Sequence, residues 1–234
     1  MKTLARALPG IFGALALSSV HATIISGIDF PQGTASFADS AVLSVGSPSP
    51  LADYIEPLNS TGVPDVNTTN GLACFTAPST ANCLFTSLGT LGSLTLRFTN
   101  NVLTGSSAAT GTPGAGDAFN DLYVFEVGVA EVSTIDISKD GATWFNVGSI
   151  GGTGSSLGVF SYGFDIDKLG FGYTDEFTYV RIVDSLSDGE TSPSGADIDA
   201  VGAIQTVVPI PATAWLLGTG LAGLVGRRWR RAAA

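Results

Sequence analysis

The chain is 234 residues long and carries 20 Asp and Glu against 10 Lys and Arg, a formal net charge of −10. All the carboxylates lie between Asp29 and Asp199, whereas Lys2, Arg6, Arg227, Arg228, Arg230 and Arg231 are terminal, so residues 23–206 carry a net charge of −16. A field of that sign repels nucleic acid and anionic lipid, which excludes polyanionic partners for the central section.

At the N-terminus, Lys2 and Arg6 precede an apolar run over residues 7–17, and Val20-His21-Ala22 fits the small-residue rule for signal peptidase. This pattern predicts a secretory signal peptide over residues 1–22, cut after Ala22. Its removal would take away His21, the sole histidine. The remaining exported part, residues 23–206, is long enough for one domain with a substantial core. The chain contains 30 glycines, a share that favours a turn-rich β-fold.

Residues 23–90 include Pro48, Pro50, Pro57, Pro64 and Pro78, so loops and edge pieces are expected there. Cys74 and Cys83 are the only cysteines. In an exported chain they read as one disulfide closing a short loop, because a metal site would want more soft or imidazole ligands.

From residue 90 onward strand patterns dominate. Leu94, Leu96 and Phe98 alternate with Thr95, Arg97 and Thr99, the period of a half-buried strand. Further strands are expected over 122–127, 132–138, 143–147 and 177–183, and around Ala196, Ile198, Ala200 and Ile204, with Lys139-Asp140-Gly141 as a hairpin turn. The Gly/Ser/Ala/Thr-rich stretch 104–116 reads as a loop. Short strands without intervening helices predict an all-β fold, an antiparallel β-sandwich of jelly-roll type, with Trp144 mostly buried.

Beyond Ile204 the chain turns uniformly apolar. Residues 207–226 contain no charge and would span about 30 Å as a helix, one bilayer core, and an arginine cluster over 227–231 follows. The cluster should stay cytoplasmic, leaving the domain outside. Residues 207–234 are therefore expected to form a tail with a transmembrane helix.

Among the acidic residues, Asp197-Ile198-Asp199 puts two carboxylates on one face of a strand, about 7 Å apart. Asp121 and Glu126 flank the expected strand at 122–125. Oxygen-rich clusters without histidine suit Ca²⁺, so Asp121, Glu126, Asp197 and Asp199 are candidate ligands of a structural Ca²⁺ site. The plainer alternative is an acidic, solvated rim in which Asp197 or Asp199 pairs with Arg181. Asp165-Ile166-Asp167 has the same spacing but sits between Gly163 and Gly170, where a plain loop is the expectation.

Val208, Pro209, Ile210, Pro211 and Ala212, then the apolar span, then Arg227, Arg228, Trp229, Arg230 and Arg231 together resemble a PEP-CTERM protein-sorting tail of the Val-Pro-Leu-Pro-Ala variety. The resemblance implies recognition by an exosortase, an integral-membrane enzyme of Gram-negative bacteria that removes the helix. The protein is then handed on to the cell surface or exopolysaccharide matrix. Ile210 stands where the commonest version has Glu, a difference that bears on which exosortase serves it. Residues 92–98, 121–126, 138–144, 179–182 and 195–201 also resemble, in order, a β-sandwich module common in bacterial surface proteins.

These readings predict a non-enzymatic cell-surface or exopolysaccharide-matrix protein that is tethered to the membrane by its C-terminal helix before processing. The alternative is a carbohydrate-binding module, Ca²⁺-dependent in one version, that retains exopolysaccharide. A hydrolase built on a carboxylate pair is set aside: twenty carboxylates make some such pair inevitable.

Overall fold

The computed structural model describes residues 22–205, apart from 48, 51, 67–83, 115, 117–118, 153–156 and 186–194. The predicted signal peptide up to His21, the Cys74–Cys83 disulfide, and the tail from 207 to 234 with Val208–Ala212 and Arg227–Arg231 lie outside the described residues. No helix among the described residues is long and apolar enough to cross a membrane.

The period-2 pattern at residues 94–98 becomes β5 (Ser93–Arg97), which pairs on one side with β3 (Ser40–Ser44) and on the other with β10 (Tyr179–Asp184). Beyond β10 come β7 (Ser133–Ser138) and β8 (Phe145–Ile150), completing a five-stranded antiparallel sheet. The register aligns its apolar positions in rows. Leu94, Ile182 and Ile135 form one row and Leu96, Val180 and Ile137 the next, all fully buried. The alternate row, Thr95, Arg181 and Asp136, faces the other way. There Arg181 donates to Asp136 Oδ2 at 2.7 and 3.2 Å and lies 4.2 Å above the Trp144 ring. Trp144 is therefore half-buried on an outer face rather than sunk in the core.

A second, four-stranded antiparallel sheet runs β4 (Thr86–Ser87), β11 (Asp197–Ala203), β6 (Leu122–Val129) and β9 (Leu157–Phe164). Its inner residues Leu122, Val124, Phe164, Ile198, Val201 and Ala203 pack with the rows of the first sheet in one core. The all-β, antiparallel architecture agrees with the sequence pattern. The strand at 157–164 is an addition, because Gly158, Ser161 and Gly163 obscure the alternation.

Both faces of the four-stranded sheet are covered, which explains why apolar residues occupy both parities of β6. On its outer face Phe125 and Ala200 pack with Phe30 and Phe37. Those phenylalanines come from a hairpin of β1 (Thr23–Ile25) and β2 (Ile28–Phe30) and from the 3-10 turn that follows it. The hairpin closes through Ser26 and Gly27 with φ of 52° and 79°, the paired left-handed conformation of a two-residue turn that matches strand twist. Further along the outer face, Val127 packs with Val66 and Phe85, while Tyr54 stacks on Phe85 at 4.8 Å.

Two long crossovers join the sheets at one end: residues 98–121 between β5 and β6, and residues 165–178 between β9 and β10. The β7–β8 connection lies at the same end, and Ile204-Gln205 leaves there too. Ile204 N donates to Asp121 O at 2.7 Å and Thr104 N to Gln205 O at 3.0 Å.

Candidate functional site

The four carboxylates expected to share one ion are not brought together. Asp121 immediately precedes β6, whereas Glu126 lies five residues along it, about 16 Å away at strand rise. Since β11 runs antiparallel to β6, Asp197 falls opposite Val127, toward the far end from Asp121. The equal-face rule for Asp197 and Asp199 also fails. The register jumps between Ile198 and Ala200, so Asp199 is the extra residue of a β-bulge. Arg181, the expected rim partner of Asp197 or Asp199, is committed to Asp136 in the other sheet.

Each of these acids has its own task. Asp199 is buried, and its carboxylate accepts from the backbone N–H of Asp65 at 3.3 Å and of Val66 at 3.2 Å. Asp65 in turn accepts from Leu84 N at 3.2 Å. The two acids thus tie residues 65–66 to β11 and to Leu84. Burial, and then the Asp65 charge beside it, push Asp199 up to about 8.

Glu126 points inward on β6, sharing the parity of Leu122 and Val124. Its Oε1 accepts from Glu131 N at 3.0 Å, and its Oε2 is buried without a hydrogen-bond partner. Burial, reinforced by Asp197 and Asp184, pushes it up to about 8. Tyr162, on the neighbouring strand, is pushed up to about 12, by burial first and then by the Glu126 carboxylate. Asp197 accepts from Ser87 Oγ, and burial pushes it up to about 7. Asp184 holds the turn beside it, accepting from Leu91 N at 2.9 Å and Ala196 N at 3.1 Å.

Asp121 instead joins Asp165 and Asp167 at the crossover end. All three are buried, and one carboxylate oxygen from each lies within 4.8 Å of the others. Asp165 ends the β9 run, and a 3-10 turn over Ile166–Leu169 follows it, closed by Gly170 at φ 86°. Ile166 N, freed at the start of this turn, donates to Asp121 Oδ2 at 2.9 Å. Asp167 is saturated, since Ser106 and Ser107 each donate both backbone N–H and hydroxyl to it, at 2.6 to 3.3 Å. Burial alone raises its pKa, but these donors hold it below the usual carboxylate value. The plain loop expected at 165–167 is therefore a buried acidic turn. The signal that could have found it was the pair Ser106-Ser107 in a polar loop facing a second Asp-x-Asp.

The same end presents aromatic rings. Phe119, just before Asp121, is 68% exposed, and Tyr173 is 57% exposed on the other crossover. Tyr173 N donates to Ser107 O at 2.8 Å, which fixes its loop to the first crossover. Lys139 braces the β7–β8 connection against this end through a 2.7 Å ion pair with Asp175, and lies 5.8 and 5.2 Å over the Phe171 and Phe177 rings.

The fold and this end define a two-sheet antiparallel domain with a loop-built acidic and aromatic tip. No protein-family model matches the chain, and no curated protein matches it. Among solved structures it is similar to CBM32 of AlyQ in complex with 4,5-unsaturated mannuronic acid, at 14% identity and a TM-score of 0.40, over 71% of this chain and 94% of that one. It is also similar to CpGH89CBM32-5 from Clostridium perfringens, in complex with GalNAc-β-1,3-galactose, at 16% identity and a TM-score of 0.34, over 70% and 94%. A third is the C-terminal domain of a chitobiase from Bacteroides fragilis, at 14% identity and a TM-score of 0.32, over 51% and 65%. At that distance the saccharides in those complexes belong to those proteins alone.

Proposed function

We propose that the chain is a non-enzymatic, exported protein of the cell surface or extracellular matrix whose jelly-roll body holds a neutral polysaccharide at its crossover end. The observation that carries this reading is the pair of exposed rings, Phe119 and Tyr173, on two crossovers that are stitched together. Aromatic faces stack on the C–H faces of sugars, and rings on anchored loops lose little freedom when a chain settles on them. The net charge of −16 over residues 23–206 favours a neutral glycan over an acidic one. The tail resemblance supports delivery by an exosortase after tethering of the precursor.

Affinity electrophoresis through gels containing neutral or acidic polysaccharides tests the binding. Retardation of the wild-type protein by a neutral polysaccharide, lost in the double variant Phe119→Ala/Tyr173→Ala with an unchanged melting temperature, is the expected result. If no polysaccharide retards the wild type, or the double variant is retarded equally, the reading fails. Delivery is checked separately, since a chain truncated after Val207 should no longer reach the surface fraction.

A further inference from the structure

We propose that Asp121, Asp165 and Asp167 bind one Ca²⁺ that ties the 98–121 and 165–178 crossovers together. Of the four carboxylates expected from the sequence, only Asp121 belongs to this set. The proposal does not depend on polysaccharide binding, because it rests on what three buried side chains leave unsatisfied.

The donors around the cluster are unequally shared. Asp167 accepts four hydrogen bonds from Ser106 and Ser107 and is oriented by them. Asp121 accepts from Ile166 N on Oδ2 and is reached by the Ser106 side chain, while its buried Oδ1 has no hydrogen-bond partner among the described residues. Asp165 is 6% exposed, and neither of its oxygens has a hydrogen-bond partner among the described residues. Among the described residues its one counter-charge is Lys168 Nζ, 3.7 Å from Oδ2, on a side chain that is 58% exposed. Three carboxylates thus face one loosely placed ammonium. Unpaired buried charge costs several kcal/mol per group, and like charges on one site repel, so the arrangement calls for a cation.

The donor chemistry selects the ion. Every candidate ligand is a carboxylate oxygen, which suits a hard cation over Zn²⁺ or Cu²⁺. Ca²⁺ binds oxygen at about 2.3–2.6 Å, so ligands on its opposite sides stand up to about 5 Å apart. Oxygens within 4.8 Å of one another meet that span. A site assembled from two irregular crossovers fits the flexible coordination of Ca²⁺ better than the strict octahedron of Mg²⁺. Space is kept for the cluster by glycine: a Cβ at Gly116 would strike the Asp165 carboxylate, and one at Gly105 would come within 2.8 Å of Asp167 Oδ1.

The competing account is that the cluster is satisfied by protons alone. Calorimetric titration of the EDTA-stripped full chain in mild detergent with CaCl₂ distinguishes the two, with thermal unfolding run in parallel. One Ca²⁺ per chain and a raised melting temperature are expected, with a response to MgCl₂ at least about tenfold weaker. Asp165→Asn should weaken Ca²⁺ binding about tenfold or more. It should also leave the calcium-free protein at least as stable as the wild type, because it removes one of three like charges. Asp199→Asn, in the other acidic group, should leave the Ca²⁺ titration unchanged. No heat and no thermal shift in the wild type would overturn the proposal, as would undiminished binding by Asp165→Asn. Equal responses to Mg²⁺ and Ca²⁺ would overturn the choice of ion.

Discussion

Replacing Glu126 with glutamine should remove the pH dependence of stability that this residue imposes. Glu126 is fully buried, and burial raises it from 4.5 to about 8. Between those values the folded state keeps a proton that the unfolded state has lost. Stability from this group is therefore fully present below about pH 4.5 and is lost as pH rises toward 8. The slope is about 1.4 kcal/mol per pH unit, so roughly 4 kcal/mol is lost by pH 7.5. Glutamine keeps the Oε1 acceptor for Glu131 N–H and has no proton to lose. Its amide replaces the buried Oε2 beside the Tyr162 phenol, a poorly satisfied donor that costs about 1 kcal/mol. Glu126→Gln should thus be about 1 kcal/mol less stable than the wild type near pH 4.5 and about 3 kcal/mol more stable at pH 7.5, with the curves crossing near pH 5. Urea unfolding in EDTA at pH 4.5, 6 and 7.5, followed by tryptophan emission, reads this as a midpoint shift of about 1–2 M. Asp197 and Asp184 are present in both proteins, so the difference curve reports the Glu126 proton together with its coupling to them. A flat difference curve, or a variant less stable than the wild type at pH 7.5, would refute the assignment of Glu126 as a buried, proton-holding acid.

Two other substitutions probe the elements around the site. Asp199→Ala leaves the N–H groups of Asp65 and Val66 without their acceptor, at a cost of about 2–4 kcal/mol. Hydrogen exchange at the Val66 amide should accelerate in that variant, and an unchanged rate would mean the bulge does not anchor residues 65–66. Arg181→Ala removes the Asp136 pair and the contact over Trp144, costing about 1–2 kcal/mol with a red-shifted Trp144 emission. Arg181→Lys should recover less than half of this, because an ammonium reproduces neither the fork nor the stacked plane.

Strands with one wet face were readable from the sequence because their side chains alternate. β5 and β10 bury every second residue, and their period is visible without knowing any partner. Features decided by distant segments were hidden. Glu126 reads as a strand-end carboxylate, yet β6 continues past it to Val129, and parity turns it into the core. Asp197 and Asp199 share a spacing, but the bulge that separates their roles exists only in the pairing with β6. Arg181 takes Asp136 because the register of β10 on β7 puts them side by side. Asp165 and Asp167 looked like loop residues because what buries them, the crossover around Ser106 and Gly116, lies some fifty to sixty positions earlier.

The acidic balance of this chain is therefore not one property. Six of its buried carboxylates fall into two kinds according to the backbone donors that reach them. Asp167, Asp184 and Asp199 each accept from N–H groups of other loops and act as clamps, a role in which ionisation strengthens the bonds they receive. Asp165, Asp121 Oδ1 and Glu126 Oε2 receive none, so burial leaves each needing a partner from outside the backbone. Glu126 stands alone on its strand beside a phenol, and one proton neutralises it. At the crossover end three carboxylates converge, and a single proton would leave two of them charged in a buried site. A divalent ion neutralises that excess in one step and draws together the two crossovers that carry Phe119 and Tyr173. Stiffness of the aromatic tip and occupancy of the acidic cluster are then coupled, so polysaccharide retention that strengthens with Ca²⁺ in the wild type should lose that dependence in Asp165→Asn.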